Sequence, residues 1–202
     1  PRKPRIVTIG ATDPACMAAN TGPYYDEKFV FTNSADGSIT VRNVFVYIEG
    51  DPPGEHAIPT NSVVIDQKGC RYIPHVLGMM AGQELLIKNS DSTVHNVNAM
   101  PRKNHPFNNG QTQGAPALSE TFANEEVMVR IKCDMHPWMT CYVGVLTHPY
   151  FDVTGIDGRY AIERVPVGEY NLVAWQEALP SKSKTITVEK DQTTRVEFVL
   201  ER

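Results

Sequence analysis

The sequence predicts an all-β protein, and three observations indicate this fold class. Short segments rich in β-branched and aromatic residues recur along the 202 residues, as they do in β-sandwiches and barrels. Turn signals such as Asp157–Gly158 and Val167–Gly168 separate these segments. No long stretch has apolar residues at the spacing of an amphipathic helix. The predicted strands are Val41–Ile48, Ser62–Asp66, Glu84–Lys88, Thr93–Asn98, Glu126–Lys132, Tyr142–Thr147, Tyr160–Ile162, Tyr170–Trp175, Lys184–Glu189 and Thr194–Leu200.

Alternation of apolar and polar residues is clearest in two of these segments. In Glu126–Lys132, three apolar side chains share one face, and in Thr194–Leu200 three apolar side chains alternate with polar ones. This period of two is that of a half-buried strand. The stretch from Asn98 to Leu118 contains Asn, Gln, Gly and Pro with few apolar residues. We predict a long loop there, and loops of this length in compact domains are usually functional or disordered.

The chain length and the turn pattern predict two units. Residues 60–149 form the first predicted domain, and residues 150–202 form a second, smaller one. A unit of the second size buries proportionally little surface, so we expect it to borrow strands. Residues 26–50, within the N-terminal segment 1–59, are the natural donor. The first domain would then be an insertion in the second.

Charge and hydropathy exclude some classes of protein. The formal net charge is −4 and no basic cluster exceeds a few residues, which argues against nucleic-acid binding. No apolar run approaches the ~18 residues of a membrane span. The first residues lack the apolar stretch of a signal peptide, so either the protein is cytosolic or the chain begins after a processing point. The cysteines discussed below favour the second option.

A candidate metal site lies between two predicted strands, in the segment Cys133-Asp-Met-His136-Pro-Trp-Met139. Cysteine, histidine and methionine are soft or borderline ligands, and one thiolate, two imidazoles and a long axial thioether suit copper. The second histidine must come from another loop. His95 is the best candidate, because it follows a polar turn at the edge of a predicted strand. Both histidines would bind as neutral imidazoles oriented by further hydrogen bonds.

The segment resembles the ligand loop of cupredoxins, most closely the amicyanin type, with its pattern Cys-x-x-His-Pro-aromatic-Met. The sequence His95-Asn96-Val97 is similar to the first ligand of that family and the residues after it. The resemblance covers residues 60–148 and implies a Greek-key β-sandwich with one type 1 (blue) copper ion. It implies the following ligands: His95, Cys133, His136 and Met139.

The resemblance also implies roles for residues that do not bind the metal. Asn96 would tie the two ligand loops together and support the thiolate, and Pro137 belongs to the ligand loop. In plastocyanin-type loops the methionine comes two residues later, at the position of Cys141. The shorter loop of this chain assigns Met139 as the axial ligand.

A second resemblance concerns the C-terminal unit. Thr154–Tyr160 and Val165–Tyr170 resemble the turn motifs of a carboxypeptidase regulatory-like domain, which is a transthyretin-like β-sandwich. This resemblance implies a structural or interaction role rather than catalysis. Members of that family begin with two strands that residues 150–202 lack, which is a further reason to expect strands from residues 26–50.

The cysteines leave alternatives open. Cys133 could be a structural thiol or form a disulfide with Cys141, and zinc could replace copper although it accepts a methionine ligand poorly. A disulfide between Cys16 and Cys70 would join the N-terminal segment to the metal-binding domain and imply an oxidising compartment. The connectivity of cysteines cannot be derived from the sequence.

These features favour electron transfer by a soluble or tethered periplasmic or extracellular protein. The expected partner is a redox protein such as a cytochrome c. The chain lacks histidine pairs for a second copper centre, so we expect no enzymatic activity. It also lacks the Met- and His-rich tracts that copper delivery or storage would favour. The alternative is a structural or docking subunit of a larger redox or surface assembly that carries a copper site.

Overall fold

Strands make up nearly all the regular structure in a computed structural model that describes residues 5–9, 13–33 and 37–201. The all-β prediction is confirmed, since the described residues contain one short helix. Within these ranges no helix is long and apolar enough to cross a membrane. The elements are α1 Pro14–Ala19, β1 Phe31–Asn33, β2 Ile39–Val41, β3 Phe45–Glu49, β4 Val63–Gln67, β5 Tyr72–Ile73, β6 Val76–Met80, β7 Glu84–Asn89, β8 His95–Met100, β9 Phe107–Gln111, β10 Leu118–Thr121, β11 Glu126–Lys132, β12 Thr140–Leu146, β13 Phe151–Val153, β14 Gly168–Gln176 and β15 Leu179–Val188.

The chain divides into two compact units, and the first consists of Pro1–Glu27 and Ile58–Thr147. It contains a 4-stranded sheet of order β10-β7-β4-β5 and a 5-stranded sheet of order β6-β12-β11-β8-β9. The pairs β4–β7 and β6–β12 are parallel. Apolar side chains from both sheets form one core and make the unit a β-sandwich. They include Ile65, Leu85, Ile87, Val97, Val129, Ile131 and Val143.

The register of the 5-stranded sheet brings two loops together. Strand β11 pairs antiparallel with β8, with Ile131 opposite Ala99 and Lys132 opposite Asn98. The end of β11 therefore lies beside the beginning of β8. Cys133 follows β11 directly and His95 begins β8, so this register places both residues at one end of the sheet.

The predicted loop from Asn98 to Leu118 contains a strand. β9 pairs antiparallel with β8 along the edge of the sheet. Its side chains are mostly polar, so hydrophobic alternation does not reveal it. Gln111 is buried, and its side-chain amide donates hydrogen bonds to the carbonyl oxygens of Ile87 and Pro116, both at 3.0 Å. These bonds satisfy a buried polar group that a sequence pattern assigns to solvent.

The second unit consists of Lys28–Ala57 and His148–Arg202. It contains a 4-stranded sheet of order β13-β3-β14-β15 and a ribbon of β1 and β2. Strand β3 lies between β13 and β14, so a segment from residues 26–50 pairs with strands of the C-terminal part. The predicted strand Val41–Ile48 is interrupted by Asn43, which has a φ of 62°.

Two predicted strands of the second unit are wrong. Tyr160–Ile162 and Thr194–Leu200 form no strand in the structure. Their apolar side chains still pack on the core of this unit, and the hydroxyl of Tyr160 donates to the carbonyl oxygen of Val196 at 2.9 Å. The alternation in the sequence therefore reflects burial of side chains without the hydrogen bonds of a ladder.

A buried carboxylate fixes the loop after β8. Glu126 is 6% exposed. Its carboxylate accepts hydrogen bonds from the backbone N–H groups of Arg102 at 2.6 Å and Lys103 at 2.9 Å and from the amide of Asn104 at 3.2 Å. Burial raises the pKa of Glu126, but these hydrogen bonds outweigh burial, so the pKa lies below its usual value.

Because this pKa is lower in the folded chain, the carboxylate stabilises the fold above the pKa of a free glutamate. That stabilisation disappears as the pH falls through the folded pKa. We expect Glu126→Gln to lower the free energy of unfolding at neutral pH by about 1–3 kcal/mol. The difference from the wild type should shrink in acid. Denaturant unfolding of the metal-free protein at several pH values measures both, and the neighbouring Glu125→Gln is the control. A loss that stays constant with pH would contradict this role.

Candidate metal centre

The loop between β11 and β12 folds into a tight turn that carries three of the predicted ligands. The backbone N–H of Cys133 donates to the carbonyl oxygen of Met139 at 3.1 Å, and the N–H of Met139 donates to that of His136 at 2.8 Å. These bonds hold both ends of the segment together. All three side chains are buried, with exposed fractions of 2% for Cys133, 4% for His136 and 1% for Met139.

His95 meets this turn from β8. The Nδ1 atoms of His95 and His136 lie 2.9 Å apart, and the Sγ of Cys133 lies 3.5 Å from the Nδ1 of His136. One ligand atom of each of the three residues lies within 4.8 Å of the others. His95 is 0% exposed. The structure thus brings together one thiol and two imidazoles, and Met139 belongs to the same core cluster as Cys133.

The outer nitrogens of both imidazoles face carboxylates. The Nε2 of His95 lies 2.8 Å from the Oδ2 of Asp91, and the Nε2 of His136 is hydrogen-bonded to the Oδ2 of Asp13. For both aspartates burial raises the pKa, but hydrogen bonds outweigh it and hold the pKa below its usual value. Since an ionised carboxylate only accepts, each Nε2 carries a proton.

This protonation pattern tests whether the residues fit a metal. With both protons on Nε2, the two Nδ1 atoms face each other at 2.9 Å as acceptors. Two lone pairs at that distance repel each other unless a cation, either a proton or a metal ion, lies between them. One thiol and two such imidazoles form a donor set for a transition metal. The donor chemistry of these residues therefore fits a metal ion.

The electrostatics of the centre favour a thiolate. Burial raises the pKa of Cys133, but hydrogen bonding to His95 and to nearby backbone groups outweighs it and lowers the pKa to about 7. Burial lowers the pKa of His95, but the hydrogen bonds to Asp91 and Cys133 raise it to about 9. These values describe the metal-free protein. The thiolate, which is the form that binds metals, is therefore accessible near neutral pH.

Asn96 connects the two ligand segments. Its Oδ1 accepts hydrogen bonds from the thiol of Cys133 at 3.2 Å and from the backbone N–H of Asp134 at 2.7 Å. Its amide donates to the carboxylate of Asp134 at 2.9 Å and to the Oδ1 of Asn108 at 2.7 Å. Asn96 therefore couples β8 to the residues that follow β11.

Asp134 is a second anchor of the ligand loop, and the sequence analysis missed it. Its carboxylate accepts hydrogen bonds from the amides of Asn98 and Asn108 and forms an ion pair with Lys132 at 2.8 Å. Hydrogen bonding to Lys132, then to Asn98 and Asn108, holds the pKa of Asp134 well below its usual range. Three asparagines on β8 and β9 donate to this carboxylate, and they are the signal in the sequence that could have identified Asp134. That signal can be recognised only when the pairing of β8 with β9 is known.

Two further residues were also missed. Asp91 lies four residues before His95, and this spacing is a local signal. Asp13 is 123 positions from His136, and no local pattern identifies it.

An apolar rim surrounds the edge of His136. Pro137 lies in this rim and is exposed. Met135 and Val94 are 49% and 43% exposed. The indole N–H of Trp138 donates to the carbonyl oxygen of Cys70 at 3.2 Å. The rim therefore leaves apolar side chains exposed next to the imidazole of His136.

The cysteines are used in different ways. A disulfide joins Cys16 to Cys70, which is one of the connectivities that the sequence left open. Cys133 and Cys141 are free and buried, so the alternative disulfide between them is not formed. Burial raises the pKa of Cys141, which leaves it a neutral thiol in the core on β12.

Comparisons with known families concern the C-terminal part. Residues 150–196 match the family described as polysaccharide lyase family 4, domain II. This family differs from the carboxypeptidase regulatory-like domain that the turn motifs indicate, so that resemblance is not supported. The match covers less than half of the chain and defines no family for the whole protein. No curated protein matches the chain.

Cupredoxins are among the solved structures that are similar to the chain. The Cu-containing nitrite reductase NirK from Thermus scotoductus SA-01 is 19% identical with a TM-score of 0.40, over 47% of this chain and 25% of that chain. A purple cupredoxin from Nitrosopumilus maritimus is 22% identical with a TM-score of 0.35, over 41% and 97% of the two chains. Amicyanin from Paracoccus versutus is 22% identical with a TM-score of 0.37, over 50% and 96%.

The chain spans a quarter of the nitrite reductase it matches, with 25% of that chain covered. These likenesses assign neither a metal nor an activity, so the chemistry depends on the residues of the centre itself. Together, the sandwich and the convergent side chains define an all-β protein with a candidate centre of one cysteine and two histidines.

Proposed function

We propose that the protein transfers electrons through one mononuclear type 1 (blue) copper ion. The ligands would be His95, Cys133, His136 and Met139. The convergence of one thiol and two imidazole Nδ1 atoms at the end of one sheet carries this proposal. Copper bound there would supply one-electron chemistry between its two oxidation states. Zinc is the weaker fit, because a methionine ligand suits it poorly.

The side chains around the centre would keep its geometry constant. Burial of all four proposed ligands excludes water. Asp91 and Asp13 accept hydrogen bonds from the imidazole Nε2–H groups of the two ligand histidines and restrict their rotation. Asn96 accepts a hydrogen bond from the backbone N–H of Asp134 and so fixes the residue that follows Cys133. A fixed site changes little when its charge changes, which favours fast electron transfer. The exposed apolar rim at His136 supports docking of a redox protein such as a cytochrome c.

The Cys16–Cys70 disulfide supports a location outside the cytoplasm. Disulfides persist in oxidising compartments such as the periplasm and the extracellular space. The protein would have no catalytic role, and its partner would act as electron donor or acceptor.

Spectroscopy of the copper-loaded, oxidised protein tests the proposal. We expect an intense blue thiolate-to-copper absorption band and narrow hyperfine splitting in the electron paramagnetic resonance spectrum. A zinc-loaded sample is the colourless control. A colourless copper-loaded protein, or one with wide hyperfine splitting, would overturn the proposal.

The role of Met139 gives a separate prediction. Met139→Leu should keep the blue absorption, because the thiolate and both imidazoles remain. It should raise the reduction potential, because the weak axial ligand helps to set the potential of such sites. Voltammetry of the wild type and the variant measures the change, and Met135→Leu in the exposed rim is the control. An unchanged potential in Met139→Leu would assign the axial position to another group.

A second candidate function is that of a structural or docking subunit in a larger redox or surface assembly. The residues of the metal centre all belong to the first unit, so the second unit is available for other contacts. Light scattering coupled to gel filtration distinguishes the two. A monomer favours the carrier, and a large assembly favours the subunit.

A further inference from the structure

We propose that Asp13 is a positioning residue for His136, and that the Cys16–Cys70 disulfide holds Asp13 in place at the metal centre. In this arrangement Asp13 fixes the orientation of the imidazole and lowers the reduction potential of the bound ion. The inference rests on the proposed copper site, but its central contact can be tested without a metal.

Both oxygens of the Asp13 carboxylate have partners. The Oδ2 is hydrogen-bonded to the Nε2 of His136, and the Oδ1 accepts a hydrogen bond of 2.8 Å from the backbone N–H of Cys16. The side chain of Asp13 is 17% exposed and that of His136 is 5% exposed. Contact with water is therefore limited, and an electrostatic interaction between them is weakly screened.

Several contacts hold the segment of Asp13 on the rest of the first unit, and three of them involve residues 69–70. The disulfide joins Cys16 to Cys70, and both half-cystines are buried. The amide of Asn20 donates to the carbonyl oxygen of Gly69 at 3.0 Å. The hydroxyl of Tyr24 donates to the carbonyl oxygen of Cys70 at 2.6 Å. Cys16 and two residues that follow it are thus fixed to one short stretch, residues 69–70.

The same stretch supports the other histidine. The backbone N–H groups of Gly69 and Cys70 donate to the carboxylate of Asp91 at 2.6 and 2.7 Å, and Asp91 holds His95. Each half-cystine therefore donates its N–H to one aspartate, and each aspartate holds one imidazole. The disulfide joins these two supports covalently.

Two effects on the metal follow from this geometry. A carboxylate at Nε2 keeps the proton there and leaves the Nδ1 lone pair for the metal. Loss of such partners typically weakens metal binding by about 10–100-fold. The negative charge also stabilises the more positive, oxidised ion relative to the reduced one. Removing the charge should therefore raise the reduction potential.

Two substitutions separate orientation from charge. Asp13→Asn keeps an oxygen acceptor and removes the charge, so the potential should rise with a small loss of affinity. Asp13→Ala removes both, so the potential should rise and the dissociation constant for copper should increase by about 10–100-fold. Glu120→Gln, the same change of charge in the same unit, is the matched control and should leave both values unchanged. Potentials and affinities of both Asp13 variants that equal those of the wild type would overturn the proposal.

The claim that the disulfide holds Asp13 beside His136 has its own test. Cys16→Ser/Cys70→Ser should raise the potential in the same direction as Asp13→Asn, because Asp13 is then released from His136. Adding Asp13→Asn to this variant should produce little further change. If the shifts in reduction potential were fully additive, the disulfide and Asp13 would act independently. That result would overturn the claim that the disulfide holds Asp13 beside His136.

The central contact is tested on the metal-free protein. Long-range proton–nitrogen NMR spectra of the histidine rings should show a hydrogen-bonded proton on the Nε2 of His136 in the wild type and its loss in Asp13→Ala. A spectrum unchanged by Asp13→Ala overturns the inference. A wild type that lacks the blue band overturns the proposed function instead, and the NMR result still decides whether Asp13 positions His136.

Discussion

Cys133→Ser should abolish the blue absorption and the narrow hyperfine splitting of the copper-loaded protein completely. The colour arises from charge transfer between the thiolate and copper, and a serine hydroxyl at this position is not ionised near neutral pH. The pKa of Cys133 is lowered to about 7, so the wild-type protein can form the thiolate near neutral pH. Absorption and electron paramagnetic resonance spectra of copper-loaded samples measure the loss.

The fold of this variant should survive. Cys133 is 2% exposed, and exchange of sulfur for oxygen changes little volume. Far-ultraviolet circular dichroism should therefore match the wild type. The control is Cys141→Ala, which removes the other free, buried thiol from β12 and should keep the blue band. A band that persists in Cys133→Ser, or that disappears in Cys141→Ala, would show that Cys133 is not the thiolate ligand.

Those parts of the centre that are local in sequence could be predicted. The turn from Cys133 to Met139 contains three potential ligands, and strand β11 before it has the predicted bounds Glu126–Lys132. The alternating apolar residues of that strand are sufficient to define it. His95 is remote from the turn, and two signals predict it: it follows a polar turn at the edge of a predicted strand, and the residues after it resemble a known family.

The supporting contacts of Asp134 could not be predicted, because they depend on strand pairing. Asp134 is held by Asn98 and Asn108, and only the pairing of β8 with β9 brings these amides together. The sequence of β9 is polar, so it resembles a loop. Thr194–Leu200 shows the opposite case, because its alternation is strong but it forms no ladder. Periodicity therefore identifies buried faces and does not identify hydrogen-bonded neighbours.

Removal of the disulfide should have the largest effect on stability. The Cys16–Cys70 bond joins residues separated by 54 positions. For a loop of this length, the chain-entropy estimate for the unfolded state gives about 4 kcal/mol at 25 °C. We expect Cys16→Ser/Cys70→Ser to lose about this much free energy of unfolding. Denaturant unfolding of the metal-free protein measures it.

A reductant provides the matched comparison. Wild-type protein unfolded and refolded in excess dithiol should approach the stability of the double variant, whereas the double variant should not respond. Cys141→Ala should respond to the dithiol as the wild type does, because its disulfide is intact. If the double variant were as stable as the oxidised wild type, noncovalent contacts such as the hydrogen bonds of Asn20 and Tyr24 would be sufficient to hold the N-terminal segment. The support of His136 through Asp13 would then not depend on the oxidation state of the compartment.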